Sequence, residues 1–207
     1  MTLLNFDDTK NLLLKYDIPF VQTNLVKNES EAVLSAEKIG YPVSLKIFGS
    51  QIFHRVDIGG VKTGIRNRDE TKEAFSSLSK INGIDGILVQ KMSQGQEIFI
   101  GMKRDSQFGP VLMFGLGGIF VEVLKDISFR ICPVSEKEAL SMVKEIKGYP
   151  ILAGIRGKKG VNTENLVKIL VQLSSLSLKE KNIQEIDLNP ILANEKEAKA
   201  VDFKFFL

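Results

Sequence analysis

Between Gly86 and Gly115 the chain runs through three short apolar segments, GILVQKM (Gly86–Met92), EIFIGM (Glu97–Met102) and VLMFG (Val111–Gly115). Turns rich in Gly and Pro, at Ser93–Gly95 and Phe108–Pro110, separate them. Strands at that spacing favour antiparallel neighbours, so this region predicts a sheet built from consecutive strands. The flanks alternate between helix and strand. Asp7 or Asp8 can cap a helix whose apolar face carries Leu12, Leu13 and Tyr16, with Pro19 as its stop. Phe20–Val26 reads as a short strand, and Ala32, Ala36 and Ile39 lie at helical spacing before Gly40. Pro42–Phe48 and Val61–Ile65 read as a hairpin whose loop is Gly49–Gly60, followed by a helix over Glu70–Leu78. On the other side, a glycine-rich turn at Gly115–Gly118 leads into an extended stretch over Phe120–Val134. Helices are expected over Glu136–Ile146 and Asn162–Leu176, the second preceded by the glycine-rich Gly154–Gly160. Ile183–Ala193 and Ala198–Phe206 form a closing pair of strands around the polar turn Asn194–Glu197. The order predicts an α+β fold of two lobes, about residues 1–85 and 86–207, with no internal repeat and no low-complexity linker.

Composition narrows the function classes. With 28 Lys and Arg against 25 Asp and Glu, the net charge of +3 lacks the basic excess that nucleic-acid binding leaves. Phosphates can be bound locally, but a polymer of them is not expected. Cys132 is the only cysteine, which excludes an internal disulfide and a cysteine-rich zinc site and fits a reducing cytosol. No stretch approaches eighteen consecutive apolar residues, and the N-terminal segment mixes apolar residues with acids and lysines. A cytoplasmic protein with no membrane partner is the expectation.

Several polar residues stand where the pattern is otherwise apolar. His54 is the sole histidine, in FHRVDIGGVK beside Gly59 and Gly60. An imidazole suits proton or phosphoryl transfer at neutral pH, and adjacent glycines let backbone approach an anion, although a lone histidine also serves as a hydrogen-bonded structural residue. Lys46 lies between Leu45 and Ile47 in a strand. It either meets an anion or carboxylate, or points to solvent from the outer face of an edge strand. Asp187 and Asn189 fall two apart in EIDLNP and so share one strand face, while Asp202 lies in the next strand. Their convergence would be hard-ligand chemistry suited to magnesium, and a solvated hairpin edge is the alternative. Glu97 could accept hydrogen bonds from a ribose or stand as an exposed acid. Lys103, Arg104 and Asp105 read as a charged turn, Arg130 as a phosphate fork or a partner of Asp126, and Cys132 as core filling.

Taken in order, YPVSLKI, IFHRVDIGGVKTG, GILVQKM, the run from Glu97 to Arg130, EIDLNPIL and VDF resemble the nucleotide-binding (beta) subunit of NDP-forming, ADP-forming acyl-CoA synthetases. That family carries an ATP-grasp fold and is related to the succinyl-CoA synthetase beta subunit. The resemblance implies a single ATP-grasp domain over 1–207 whose two lobes hold a nucleotide between them. It implies that Lys46 reaches the phosphates, that Gln90 and Lys91 lie at the hinge that meets the adenine, and that Glu97 takes the ribose. Gly59 and Gly60 would belong to a loop closing over the phosphates, Asn189 and Asp202 would ligate magnesium, and His54 would carry the phosphoryl group. The implied reaction is acyl-CoA + ADP + phosphate ⇌ carboxylate + ATP + CoA.

No CoA-binding GxGxxG signature and no second histidine are present, so the resemblance also implies a CoA-binding alpha subunit in an alpha2beta2 heterotetramer. Where the family commonly has LHKSD, this chain has Phe53, His54, Arg55, Val56 and Asp57, which replaces a small hydroxyl by Val56. Two other readings compete: a nucleotide-sensing module that transfers nothing, and an ATP-grasp carboxylate-amine ligase that needs no histidine.

Overall fold

The computed structural model describes residues 1–49, 58–118, 126–155, 157 and 159–207. The chain divides into a smaller unit, Val21–Ser93, and a larger one that combines Met1–Phe20 with Gln94–Leu207. This division differs from a cut near residue 85. The strand over Gly86–Lys91 is bonded on both sides within the smaller unit's sheet, so the boundary falls after it. The N-terminal segment is bonded to the end of the chain, with Leu4 N donating to Phe205 O at 2.8 Å and Leu207 N to Thr2 O at 2.9 Å.

In the smaller unit β1 (Thr23–Val26), β2 (Val43–Phe48), β3 (Val61–Ile65) and β4 (Gly86–Lys91) form an antiparallel sheet in the order β1-β4-β2-β3. The expected hairpin is present, with Lys46 opposite Val61. Strand alternation sends Val43, Leu45, Ile47, Ile87 and Val89 to one face. There they pack in one core with Ala32, Ala36 and Ile39 of α2 (Glu29–Ile39) and Ala74 and Leu78 of α3 (Arg68–Leu78).

In the larger unit β5 (Gln96–Asp105), β6 (Gly109–Leu116), β7 (Ile127–Ile131), β8 (Glu185–Ala193) and β10 (Phe203–Phe206) run in the order β10-β8-β5-β6-β7, with β9 (Ala198–Ala200) also paired to β8. The pairings between these strands are antiparallel, and an isolated parallel bridge joins Phe20 to Ala200. Ile98, Ile100, Met102, Leu112, Phe114, Ile186 and Leu188 are buried on the face that α4 (Glu136–Glu145) and α6 (Thr163–Lys179) cover. Helix α1 (Phe6–Lys15) contributes Phe6, whose ring stacks on Phe203 at 5.8 Å between centroids. A short helix over Tyr149–Ala153 (α5), absent from the sequence expectation, begins where the Asp126 carboxylate accepts the backbone N–H groups of Lys147 (2.9 Å) and Gly148 (2.7 Å).

Four helices start on an asparagine cap, and of these asparagines only Asn162 stood at an expected helix start. Asn5, Asn28, Asn67 and Asn162 precede α1, α2, α3 and α6, and each side-chain oxygen accepts a backbone N–H from the first turn. Asp7 and Asp8 lie inside the first turn of α1 and act on its dipole, not as the cap. Helix α4 starts with a reciprocal Ser135–Glu138 capping box.

Arg104, expected in a charged turn, instead holds the end of α6. Its guanidinium donates to Ile183 O (3.0 Å), Ser177 O (2.7 Å) and Glu180 O (3.3 Å). Ser177 O is among the last-turn carbonyls that a helix end leaves without intrahelical partners, and the other two lie in the segment that leads out of α6. Arg104→Ala should therefore lower stability by about 2 kcal/mol, seen as a lower urea midpoint at unchanged m-value. Arg104→Lys should restore only part of this, because one ammonium cannot reproduce the planar fork.

Candidate functional site

Each unit carries a set of polar side chains on the sheet face turned away from its own helices. In the smaller unit, sending Leu45 and Ile47 to the core puts Ser44, Lys46 and Phe48 on the opposite face. Lys46 is not on an edge strand, because β2 lies between β4 and β3. Its half-buried ammonium donates to Gln90 Oε1 at 2.7 Å. Gln90 Nε2 in turn donates to Thr23 Oγ1 at 2.8 Å, and that hydroxyl donates to Val21 O at 2.7 Å. Gln90 and Thr23 are 2% and 1% exposed, so little water competes for these bonds. Thr23 has spent its proton on a carbonyl and can only accept from the amide nitrogen, which turns the amide oxygen toward the lysine. Sequence reasoning missed Thr23, whose only signal was its position opposite Gln90 once β1 and β4 paired.

Lys91 follows Gln90 at the exposed end of β4, and its backbone N–H donates to Gln22 O at 3.0 Å. Gly59 has φ +68°, a backbone angle that suits glycine, and the carbonyl of buried Gly60 accepts Ile47 N at 2.9 Å. The returning arm of the β2–β3 loop is thereby tied to the strand that carries Lys46. His54 lies outside the described residues.

In the larger unit Glu97 is exposed near the start of β5, and its backbone oxygen accepts Gly117 N at 2.8 Å. Gly118 has φ +62°, and a side chain there would run into the Glu97 carboxylate. The glycine-rich turn after β6 thus closes against Glu97 with Gly118 in the left-handed region, where other residues are strained.

On β8, Ile186 and Leu188 face the core while Asp187 and Asn189 take the other face. Asn189 is exposed, and its backbone N–H donates to Asp202 O at 3.1 Å. Asp202 stands in a bend between β9 and β10, not inside a continuous strand, and its Oδ1 accepts Phe203 N at 3.0 Å. Backbone bonding therefore brings Asn189 and Asp202 together. Asp187, expected on the same strand face as Asn189, is the member most withdrawn from water. Its Oδ1 is buried and has no hydrogen-bond partner among the described residues. Burial raises its pKa to about 6, opposed by Lys204 across the ladder and reinforced by Asp202 and Glu185.

An orphaned carboxylate oxygen, an exposed amide and a second carboxylate are hard oxygen donors that fit a magnesium-like cation. Among the described residues no three or more His, Cys, Asp or Glu side chains gather into a metal cage. Such a sparse set suits an ion that takes its remaining ligands from phosphate and water.

Arg130 is neither a phosphate fork nor a partner of Asp126: its guanidinium is bidentate to Glu145 of α4, at 3.0 and 2.5 Å, and reaches Ser141 at 3.3 Å. Cys132 is buried as expected, which pushes its thiol pKa up. No helix among the described residues is long and apolar enough to cross a membrane.

The state of Asp187 predicts a pH dependence. A carboxyl whose pKa is raised by folding makes the native state bind more protons than the unfolded state, so stability falls as pH rises from the unfolded pKa to the folded one. In chelator-treated protein, the stability advantage of Asp187→Asn over wild type should grow by about 1.4 kcal/mol between pH 5 and pH 7.5, read from paired urea titrations.

The whole chain, residues 1–207, matches the ATP-grasp domain. It is 47% identical over 208 residues to the acetate–CoA ligase (ADP-forming) I subunit beta of Pyrococcus furiosus, covering 97% of this chain and 90% of that one. The dinucleotide-forming acetyl-coenzyme A synthetase 1 of Ca. Korarchaeum cryptofilum, solved with coenzyme A, Ca-AMPCP and HgCl+, matches with TM-score 0.93 at 40% identity, over 100% of this chain and 93% of that one. The same synthetase with coenzyme A and Mg-AMPPCP, its phosphohistidine segment pointing towards the nucleotide binding site, matches with TM-score 0.89 at 40% identity, over 99% and 92% of the two chains. The chain belongs to the ATP-grasp family, as a beta subunit of the ADP-forming acetate–CoA ligases.

Proposed function

We propose that this chain handles the nucleotide half of the ligase reaction by passing a phosphoryl group reversibly between His54 and ADP. The observation that carries this reading is the buried, unpartnered Asp187 oxygen beside Asn189 and Asp202, a costly arrangement unless a cation completes it. Asn189 and Asp202, with Asp187 close by, hold magnesium. When bound, that ion neutralises phosphate oxygens and helps to align the transferring group.

The other residues follow from their placement. Lys46, oriented by Gln90 and Thr23, supplies a fixed positive charge to the phosphates. Gly59 and Gly60 let the loop backbone approach them. Gln90 and Lys91 end the strand on the adenine side, and Glu97 accepts hydrogen bonds from the ribose. In the ATP-consuming direction, a neutral imidazole nitrogen of His54 forms a bond to the γ-phosphorus. The bond from that phosphorus to the β–γ bridging oxygen breaks, and ADP departs with the electron pair. Run in reverse, the same step makes ATP.

A CoA-binding alpha subunit, with its own phosphohistidine, completes the reaction acyl-CoA + ADP + phosphate ⇌ carboxylate + ATP + CoA. The assembly is an alpha2beta2 heterotetramer in the cytoplasm.

Incubation with γ-labelled ATP and magnesium, with and without the alpha subunit, tests the reading. Acid-labile label should appear on His54, and His54→Ala should bind nucleotide normally while net turnover falls by roughly a thousandfold. Nucleotide binding without any label would favour a sensing module. Full activity in His54→Ala would remove the carrier role, as a carboxylate-amine ligase requires.

A further inference from the structure

Asp202 is the one proposed cation ligand that no strand ladder holds, because β9 ends at Ala200 and β10 begins at Phe203. Its backbone is held from two sides instead. On the β8 side, Val201 N and Asp202 N both donate to Pro190 O, at 2.9 and 3.4 Å, and Asp202 O accepts Asn189 N at 3.1 Å. On the other side the segment after α1 lies along β9: Ala200 N donates to Pro19 O at 2.9 Å, and a parallel bridge joins Phe20 to Ala200. The side chain has a tie of its own, since Asp202 Oδ1 accepts the backbone N–H of Phe203 at 3.0 Å. The direction of that carboxylate therefore depends on where Phe203 sits.

Two rings from the N-terminal segment fix Phe203. Phe6 stacks on it at 5.8 Å between centroids with 26° between the planes, and Phe20 meets it edge-on at 5.6 Å and 66°. Both are arrangements that aromatic pairs favour. Bringing Phe20 there requires a tight turn after α1. Asp17 takes φ +53°, the only positive φ outside glycine among the described residues, and Ile18 N closes the turn on Leu13 O at 2.9 Å. A left-handed conformation at such a residue persists only where the surrounding contacts offset it. Docking of α1 does not need these rings to meet at Phe203. Leu13 and Ile18 are already buried, and Leu4 N is bonded to Phe205 O. The aromatic contacts add a constraint at the residue whose N–H carries the Asp202 bond.

We propose that Phe20 and Phe6 are positioning residues for magnesium–nucleotide binding, which act through the Phe203 ring to hold the backbone N–H that aims the Asp202 carboxylate. This rests on the reading of Asp202 as a magnesium ligand. Phe203 lies opposite Leu188 on the core side of the sheet, so the rings work from behind the face that carries Asp187 and Asn189. Partners that orient a metal ligand set affinity, because a loosened carboxylate must be ordered again when the ion arrives.

Calorimetric titration of ADP into the full chain, over a range of magnesium concentrations, tests the proposal. Phe20→Ala should raise the magnesium concentration for half-maximal tightening of ADP by roughly tenfold, as loss of an orienting partner does. ADP affinity without magnesium should be unchanged. Phe20→Leu, which keeps apolar bulk without the ring and so protects folding, should show part of the same shift. Leu13→Ala, about two helical turns from Phe6, should lower the urea midpoint and leave the magnesium dependence as in wild type. Asp202→Asn should itself raise the magnesium requirement, and adding Phe20→Ala to it should raise it no further, because the ring acts through the carboxylate. Wild-type magnesium dependence in both Phe20 variants, the same shift in Leu13→Ala, or full additivity in the double variant would each overturn the proposal. Failure of the underlying reading is distinct: wild-type magnesium dependence in Asp202→Asn removes Asp202 from the cation site whatever Phe20 does.

Discussion

Successive residues of a strand point to opposite sides, and both sheets of this chain spend one side on helices. Lys46, Gln90, Asp187 and Asn189 are therefore forced onto the other side. Lys46 cannot join the core because Leu45 and Ile47 already occupy it, and Asp187 and Asn189 cannot because Ile186 and Leu188 do. The helical faces are closed with apolar side chains. The opposite faces carry an ammonium, an amide, carboxylates and, at the β7 edge, bare apolar groups. A one-residue slip in β2 or β8 would exchange these roles, so the buried face fixes the position of the polar one.

Within that frame the two polar sets use opposite strategies. Lys46 is met inside its own unit, through a relay that ends on a backbone carbonyl, so its charge is oriented before any ligand arrives. Preorganised charge of this kind need not reorganise during transfer. Asp187 is left short of partners: burial raises its pKa to about 6, and its nearest charges partly cancel. One site is complete and waiting, while the other carries a cost that a cation would relieve. The loop glycines and the turn that closes on Glu97 add positions where backbone, not side chain, makes the close approach.

Most of the strands were legible because Gly and Pro punctuate them, and the β2–β3 hairpin because its arms are β-rich around a glycine-containing loop. Helix starts were less legible. Asp7 or Asp8 was expected to cap α1, whereas asparagines cap four of the helices, Asn5 ahead of both aspartates and Asn162 at the position where its helix was expected to begin. Helix α5 escaped because it is five residues long, and its start is bonded to the distant Asp126. The break at Val201 and Asp202 escaped because AKAVDFKFF alternates like one strand, and only pairing with β8 shows that it is two. For the site, local spacing put Asp187 and Asn189 on one face. It could not show that Gln90 orients Lys46 or that Arg130 belongs to Glu145, since both depend on partners far away in sequence.

The role proposed for Asp187 is to stay desolvated for a cation that works with the nucleotide. Calorimetric titration of magnesium–ADP at pH 6, in buffers of different ionisation enthalpy, tests it through the protons released. With a pKa of about 6, Asp187 is about half protonated there, and cation binding should expel roughly half a proton per site in wild type and almost none in Asp187→Asn. Equal proton release in the two proteins, or undiminished magnesium dependence in the variant, would contradict it.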